Sequence, residues 1–214
     1  MISSAGAATP PASISLVDVL VARSREWADR PAIESSRLRL THAELLARSA
    51  RSAQELRLLG IEPRMNIGLA LRDAAEGAVI TLALWMLGAV PVPIDFRTRA
   101  TEKTDLAAEF DLAAIIEDRV SGAASYRSIL VDDAWGDLVA RHNPRPLEPT
   151  DKTAPALISL TSGTTGNPLG IIIEHRAFLA RLASNLQLGA RRQQHARLLN
   201  VIPLSSSGAR NHAF

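Results

Sequence analysis

The sequence predicts an α/β protein of mixed, largely parallel sheets flanked by helices, and three observations carry that prediction. Between residues 65 and 140, apolar runs of strand length alternate with helical stretches at the spacing of βαβ units. Residues 77–94 contain no charge, yet Gly88, Pro91 and Pro93 divide them into a buried helix and a short buried strand rather than a membrane span. Two further apolar runs, residues 155–160 and 171–173, bracket a loop dense in glycine and hydroxyl groups.

Residues 1–14 have neither a basic n-region nor an apolar h-region, so they read as a disordered tail and not as a secretory leader. Ser15, with Asp18 three residues on, starts the first helix, and Leu16, Val17, Leu20, Val21 and Trp27 recur at helical spacing up to Pro31. Residues 32–34 and 38–40 suggest a small hairpin. Thr41 and Glu44 form a capping box for a helix whose stripe is Leu45, Leu46, Ala50, Ala53, Leu56 and Leu59, with Gly60 as its stop. Residues 65–71 suit a strand buried on both faces, Asp73 caps a helix over 74–87, and 89–92 form the next strand.

Thr101 is expected to cap a helix running to Phe110, followed by strands at 113–116 and 129–131 and a short helix at 134–140. The acidic pairs Glu117-Asp118 and Asp132-Asp133 read as strand ends that cap turns or helices. Trp27, Trp85 and Trp135 read as core. His42, His142 and His195 read as surface residues, since none has a partner at metal-ligand spacing, and His212 as part of a frayed end.

The chain thus divides into a first α/β subdomain over 15–143, a proline-bearing connector over 144–153, and from 154 the start of a second α/β subdomain. That second part holds a helix over 175–188, with Phe178, Leu179, Leu182 and Leu186 on one stripe, and a strand over 198–202. No helix follows to cover this strand, so the chain reads as a truncated N-terminal piece of something larger. Its open sheet surface would suit a second copy as a homo-oligomer partner.

Composition narrows the function. With no cysteine, disulfides, thiolate nucleophiles and cysteine-bound metals are excluded. A net charge of +2 and only 4% aromatic residues leave no base-stacking surface, so no nucleic-acid partner is expected. The cytoplasm is the default compartment.

In the loop, Gly163, Gly166 and Gly170 let the backbone approach a ligand closely, and successive N–H groups there can form an anion nest. Hydroxyls at Thr161, Ser162, Thr164 and Thr165 add donors. A hairpin turn with no ligand explains the same composition equally well. A P-loop of the NTPase type is the runner-up within phosphate chemistry and is set aside, because residues 163–170 lack the Gly-Lys-Ser/Thr ending and lead into a strand.

The run Thr161-Ser162-Gly163-Thr164-Thr165-Gly166-Asn167-Pro168-Leu169-Gly170 resembles the signature Thr/Ser-Ser-Gly-Thr/Ser-Thr-Gly-x-Pro-Lys-Gly of the adenylate-forming enzymes. These are the acyl-CoA synthetases, the luciferases and the adenylation domains of peptide synthetases. Residues 40–45 resemble their "LTYxEL" segment, residues 88–95 their "GAxxVPxD" segment, and His175 falls where a histidine usually follows the strand after the loop. The resemblance runs from about Ser15 over nearly the whole chain.

It implies the incomplete N-terminal, large domain of the adenylate-forming fold. It also implies ATP- and Mg2+-dependent activation of a carboxylic acid as acyl-adenylate, followed by transfer to a thiol such as coenzyme A. Thr161, Ser162, Gly163, Thr164, Thr165, Gly166, Asn167 and Gly170 would then hold the β- and γ-phosphates. Two departures stand out. Leu169 occupies the lysine place, and residues 203–208 resemble "PLFHxxG" with Ser205 and Ser206 in the aromatic and histidine places, so Ser206 would border the acyl pocket. The family's magnesium ligand, ribose aspartate and catalytic lysine have no counterpart before Phe214. The isolated chain is therefore expected to be inactive, with a degenerate binding or interaction module as the alternative.

Overall fold

The computed structural model describes residues 15–119, 125–144, 155–161 and 168–188, with side chains as far as residue 181. The expected connector beyond Pro144 and the expected strand at 198–202 lie outside them.

Local capping chemistry starts the fold. The Ser15 hydroxyl accepts from the Asp18 amide at 3.1 Å and the Asp18 carboxylate accepts from the Ser15 amide at 2.7 Å, opening α1 (Leu16–Glu26). β1 (Pro31–Glu34) and β2 (Arg39–Thr41) pair antiparallel, and Thr41 then caps α2 (His42–Leu58) through the same reciprocal bonds with Glu44. At Gly60 the chain turns with φ +78°, a conformation that costs glycine little.

The central sheet is parallel. It contains β3 (Asn66–Ala70), β4 (Val90–Pro93), β5 (Leu112–Glu117) and β6 (Ser128–Leu130) in the order β4-β3-β5-β6. α3 (Ala74–Leu87) is capped by the Asp73 carboxylate, which accepts from the amides of Ala75 and Glu76, and ends at Gly88 with φ +70°. From Gly77 to Leu87 each of its residues is buried, so the charge-free run is a core helix. Among the described residues no helix is long and apolar enough to cross a membrane.

Proline placement explains where this sheet stops. Val90 and Ile94 donate their amides inward, to Met65 and Leu69 at 2.8 Å each. Pro91 and Pro93 alternate with them and have no N–H to offer on the outer side. β4 is accordingly an edge strand of its sheet.

Beside that edge lies a separate hairpin, β7 (Pro155–Thr161) with β8 (Leu169–Glu174), followed by α6 (His175–Leu188). It is joined to the rest by side chains. The Trp85 indole N–H donates to the Ala156 carbonyl at 2.6 Å, and Trp85, Ala156, Leu157, Phe178 and Leu179 belong to one hydrophobic cluster. The outer strand β8 leaves Leu169, Ile171 and Ile172 exposed by 64%, 53% and 64%.

Four expectations are corrected. α4 (Ala100–Glu109) begins at Ala100 with Arg99 as its N-cap, because Glu102 reaches back to the Arg99 amide at 3.4 Å; Thr101 is exposed. Glu117 caps no turn: it is wholly buried and bonded to Lys103 at 2.7 Å. His142 is not a free surface residue, for Glu55, far away in sequence, lies 2.6 Å from its Nε2. Trp27 sits at the C-cap of α1 and is half-buried, stacked by Arg23 at 4.2 Å and meeting the half-buried His42 edge-on. The other helices fall where the period-3.6 patterns place them, α5 (Asp133–Ala140) included, with Asp132 as its N-cap.

Candidate functional site

The β7–β8 hairpin presents the glycine-rich loop. Its last ladder pair is Thr161 with Leu169. The Thr161 hydroxyl donates to the Leu169 carbonyl at 3.2 Å, so one of the expected phosphate donors closes the neck of the loop. Ser162, Gly163, Thr164, Thr165, Gly166 and Asn167 lie outside the described residues, as does Ser206.

Gly170 follows on β8, and its lack of a side chain is a matter of space. A Cβ built there would lie 2.6 Å from Phe110 Cε1 and 3.0 Å from Ile158 Cγ2, the first of them closer than real contacts allow. Leu169, in the lysine position of the signature, is 64% exposed and supplies no charge.

Around the carboxyl ends of β3 and β4, where parallel α/β sheets bind ligands, Asp95 is paired with Arg97. The Arg97 guanidinium donates twice to Asp95, at 3.0 and 2.6 Å, and these bonds hold the Asp95 carboxyl below its ordinary range. The Arg72 and Arg97 guanidinium carbons lie 5.3 and 5.7 Å from the centre of the Phe96 ring. His175 opens α6 fully buried, edge-on to Trp85 with centroids 5.6 Å apart, so this residue is a pillar of the core.

A cleft of about 250 Å³ opens at the carboxyl ends of β3, β5 and β6. Its charged lining is already partnered: Arg48 with Glu76 at 2.9 Å, Arg37 with Asp133, Asp73 and Asp132 with helix-cap amides, and Asp118 with the Arg72 amide at 3.3 Å. Among the described residues, no group of three or more His, Cys, Asp or Glu side chains could hold a metal ion.

The AMP-binding enzyme family matches residues 20–212. The chain belongs to that family. It is 31% identical over 185 residues to a 4-chlorobenzoate–CoA ligase of Arthrobacter sp., covering 78% of this chain and 34% of the relative. It is also 31% identical over 176 residues to the salicyl-AMP ligase / salicyl-S-ArCP synthetase of Mycobacterium tuberculosis, covering 70% and 31%. The chain thus spans about a third of the length of these AMP-binding relatives. The N-terminal subdomain of Klebsiella oxytoca NpsA, solved with 3-hydroxybenzoyl-AMSN, superposes with a TM-score of 0.79 over 93% of this chain and 50% of its own, at 21% identity. That likeness shows the fold: a parallel sheet flanked by helices, matching N-terminal subdomains of adenylate-forming enzymes.

Reading by motif found the loop and missed its support. Phe110 was legible only as the end of a helix. Its contact with Gly170, sixty residues away, has no local signal, since nothing in a helix end announces which strand it will meet.

Proposed function

We propose that this chain is the ATP phosphate-binding part of a ligase that activates a carboxylic acid as its acyl-adenylate. The observation that carries the reading is the run Thr161–Gly170 set at the mouth of the β7–β8 hairpin, with Gly170 kept bare by Phe110. In this reading Thr161, Ser162, Gly163, Thr164, Thr165, Gly166, Asn167 and Gly170 surround the β- and γ-phosphates. Backbone N–H groups and hydroxyls bear on charge that shifts among the phosphoryl oxygens as the carboxylate attacks the α-phosphorus. The donor set suits a polyphosphate, and Mg2+ bound with the ATP would neutralise charge that Leu169 leaves uncompensated.

The relatives' names differ in the acyl acceptor: one is named for CoA and the other for ArCP. We assign coenzyme A as the acceptor, on the motifs shared with the acyl-CoA synthetases, and a carboxylic acid whose pocket is bordered by Ser206. We also place the protein in the cytoplasm, with subdomains over 15–143 and 154–214. The apolar strip of β8 is the surface through which two copies would pair.

The test uses two preparations. ATP titrated into the 214-residue chain by calorimetry should show binding, and the chain fused to the part of an AMP-binding relative that it does not span should exchange pyrophosphate into ATP when supplied with acids, aromatic ones first. Absence of ATP binding in both sinks the proposal. A second reading, a non-catalytic binding module, is favoured by the apolar Leu169. Binding without exchange, unchanged by Leu169→Lys, would establish it.

A further inference from the structure

We infer that Phe110 is the positioning residue of the phosphate loop, acting through Gly170. Three constraints fix its backbone. Its amide donates to the Leu106 carbonyl at 3.0 Å at the end of α4, and its carbonyl accepts from the Asn66 side-chain amide at 2.9 Å. The next residue, Asp111, takes a left-handed conformation with φ +48°, which Asp tolerates better than most side chains. Further back, Lys103 anchors α4 to β5 through its buried pair with Glu117. The ring is therefore held from the side of the parallel sheet, not from the hairpin it touches.

Phe110 packs with Val90 and Val92 of β4 and with Ile158 and Leu160 of β7, a cluster in the seam between two strands that share no ladder among the described residues. Its ring edge would lie 2.6 Å from a Cβ at residue 170, one position beyond the residue that closes the neck of the loop. Among the described residues it is side-chain packing of this kind that joins the hairpin to the sheet edge, and the Phe110 ring meets the hairpin at Gly170. A shift of about 1 Å in a group that orients a reacting centre costs on the order of 100-fold, so a seat at this point controls how the loop meets a nucleotide.

This inference rests on the ATP reading of the loop, and its test separates the two. Gly170→Ala, Phe110→Leu and the double variant are compared with the parent chain by calorimetric titration with MgATP and by amide hydrogen exchange over residues 155–161 and 169–174. Gly170→Ala is expected to weaken MgATP binding by about tenfold or more, as loss of a hydrogen bond to a charged group would, and to speed exchange in both segments. Phe110→Leu, which removes the ring edge, should restore most of that loss in the double variant, while exchange in β3 and β5 stays at the parent level. Losses that simply multiply in the double variant would overturn the inference, as would a Gly170→Ala hairpin that exchanges like the parent. If the parent chain binds no MgATP, the ATP reading fails, and the exchange data still decide whether Phe110 seats the hairpin.

Discussion

Lys103 Nζ lies 2.7 Å from Glu117 Oε2, and the two side chains are 1% and 0% exposed. Glu117 also accepts from the Ser128 hydroxyl at 2.7 Å and from the Tyr126 hydroxyl at 3.2 Å. Burial, and secondarily the Glu117 charge, pushes the Tyr126 phenol up to about 12, so it remains a donor at any ordinary pH. A buried pair of this kind stabilises little beyond an apolar replacement, but removal of one partner strands the other charge at a cost of about 3–5 kcal/mol. Lys103→Met should therefore lower the urea midpoint severely. Lys103→Met combined with Glu117→Leu should be the milder change, and a double variant less stable than the single would contradict this account.

A second prediction concerns the bond between the two parts of the fold. Trp85 donates to the Ala156 carbonyl at 2.6 Å from inside α3, with the indole 1% exposed. Trp85→Phe keeps the ring contacts with His175 and Phe178 in kind and removes this donor, leaving a buried carbonyl unsatisfied at about 1–3 kcal/mol. Thermal melting should show that loss. Hydrogen exchange should locate it in β7 before β3, because the removed bond holds the hairpin and not the parallel sheet.

What the sequence makes legible here is what neighbouring residues decide. Ser15 with Asp18 and Thr41 with Glu44 state their helices outright, because a cap is settled within four residues. Pro91 and Pro93 mark β4 as unable to continue the sheet outward. Glu117 was misread because its partner comes from α4 and its burial from the whole sheet, and a carboxylate at a strand end looks the same whether it meets water or a lysine. At the candidate site the division is the same. The loop signature is contiguous and readable, and Phe110, which touches Gly170 across the seam, is not.

His42 makes stability depend on pH. Partial burial first, then the positive charges of Arg23 and Arg30, lower its pKa from 6.5, and its Nδ1 is buried without a hydrogen-bond partner among the described residues. The unfolded chain then binds the proton more readily than the folded one. The stability contribution is complete above 6.5 and is lost as the pH falls from there through the lower folded-state value. His42→Phe keeps a ring against Trp27 and should flatten that part of the curve. Urea midpoints measured at about pH 8 and about pH 5.5 should differ less in the variant than in the parent; equal differences would remove His42 from the account.

Two glycines with opposite surroundings supply a paired prediction. A Cβ at Gly68, in the middle of β3, would sit 2.9 Å from Ile115 Cγ1, 3.0 Å from Ile94 Cδ1 and 3.2 Å from Leu112 Cδ1. These side chains fill the space beside the central strand, so Gly68→Ala forces several of them to move at once, an overpacking that costs about 1–3 kcal/mol. At Gly136, within α5, a Cβ meets nothing within 4 Å and the backbone is helical. There alanine only removes the freedom that glycine has in the unfolded chain, a gain of about 0.5–1 kcal/mol. Denaturation of the two single variants under identical conditions should move the midpoint in opposite directions. Equal tolerance at both sites would mean that β3 is less tightly enclosed by its neighbours than these distances require.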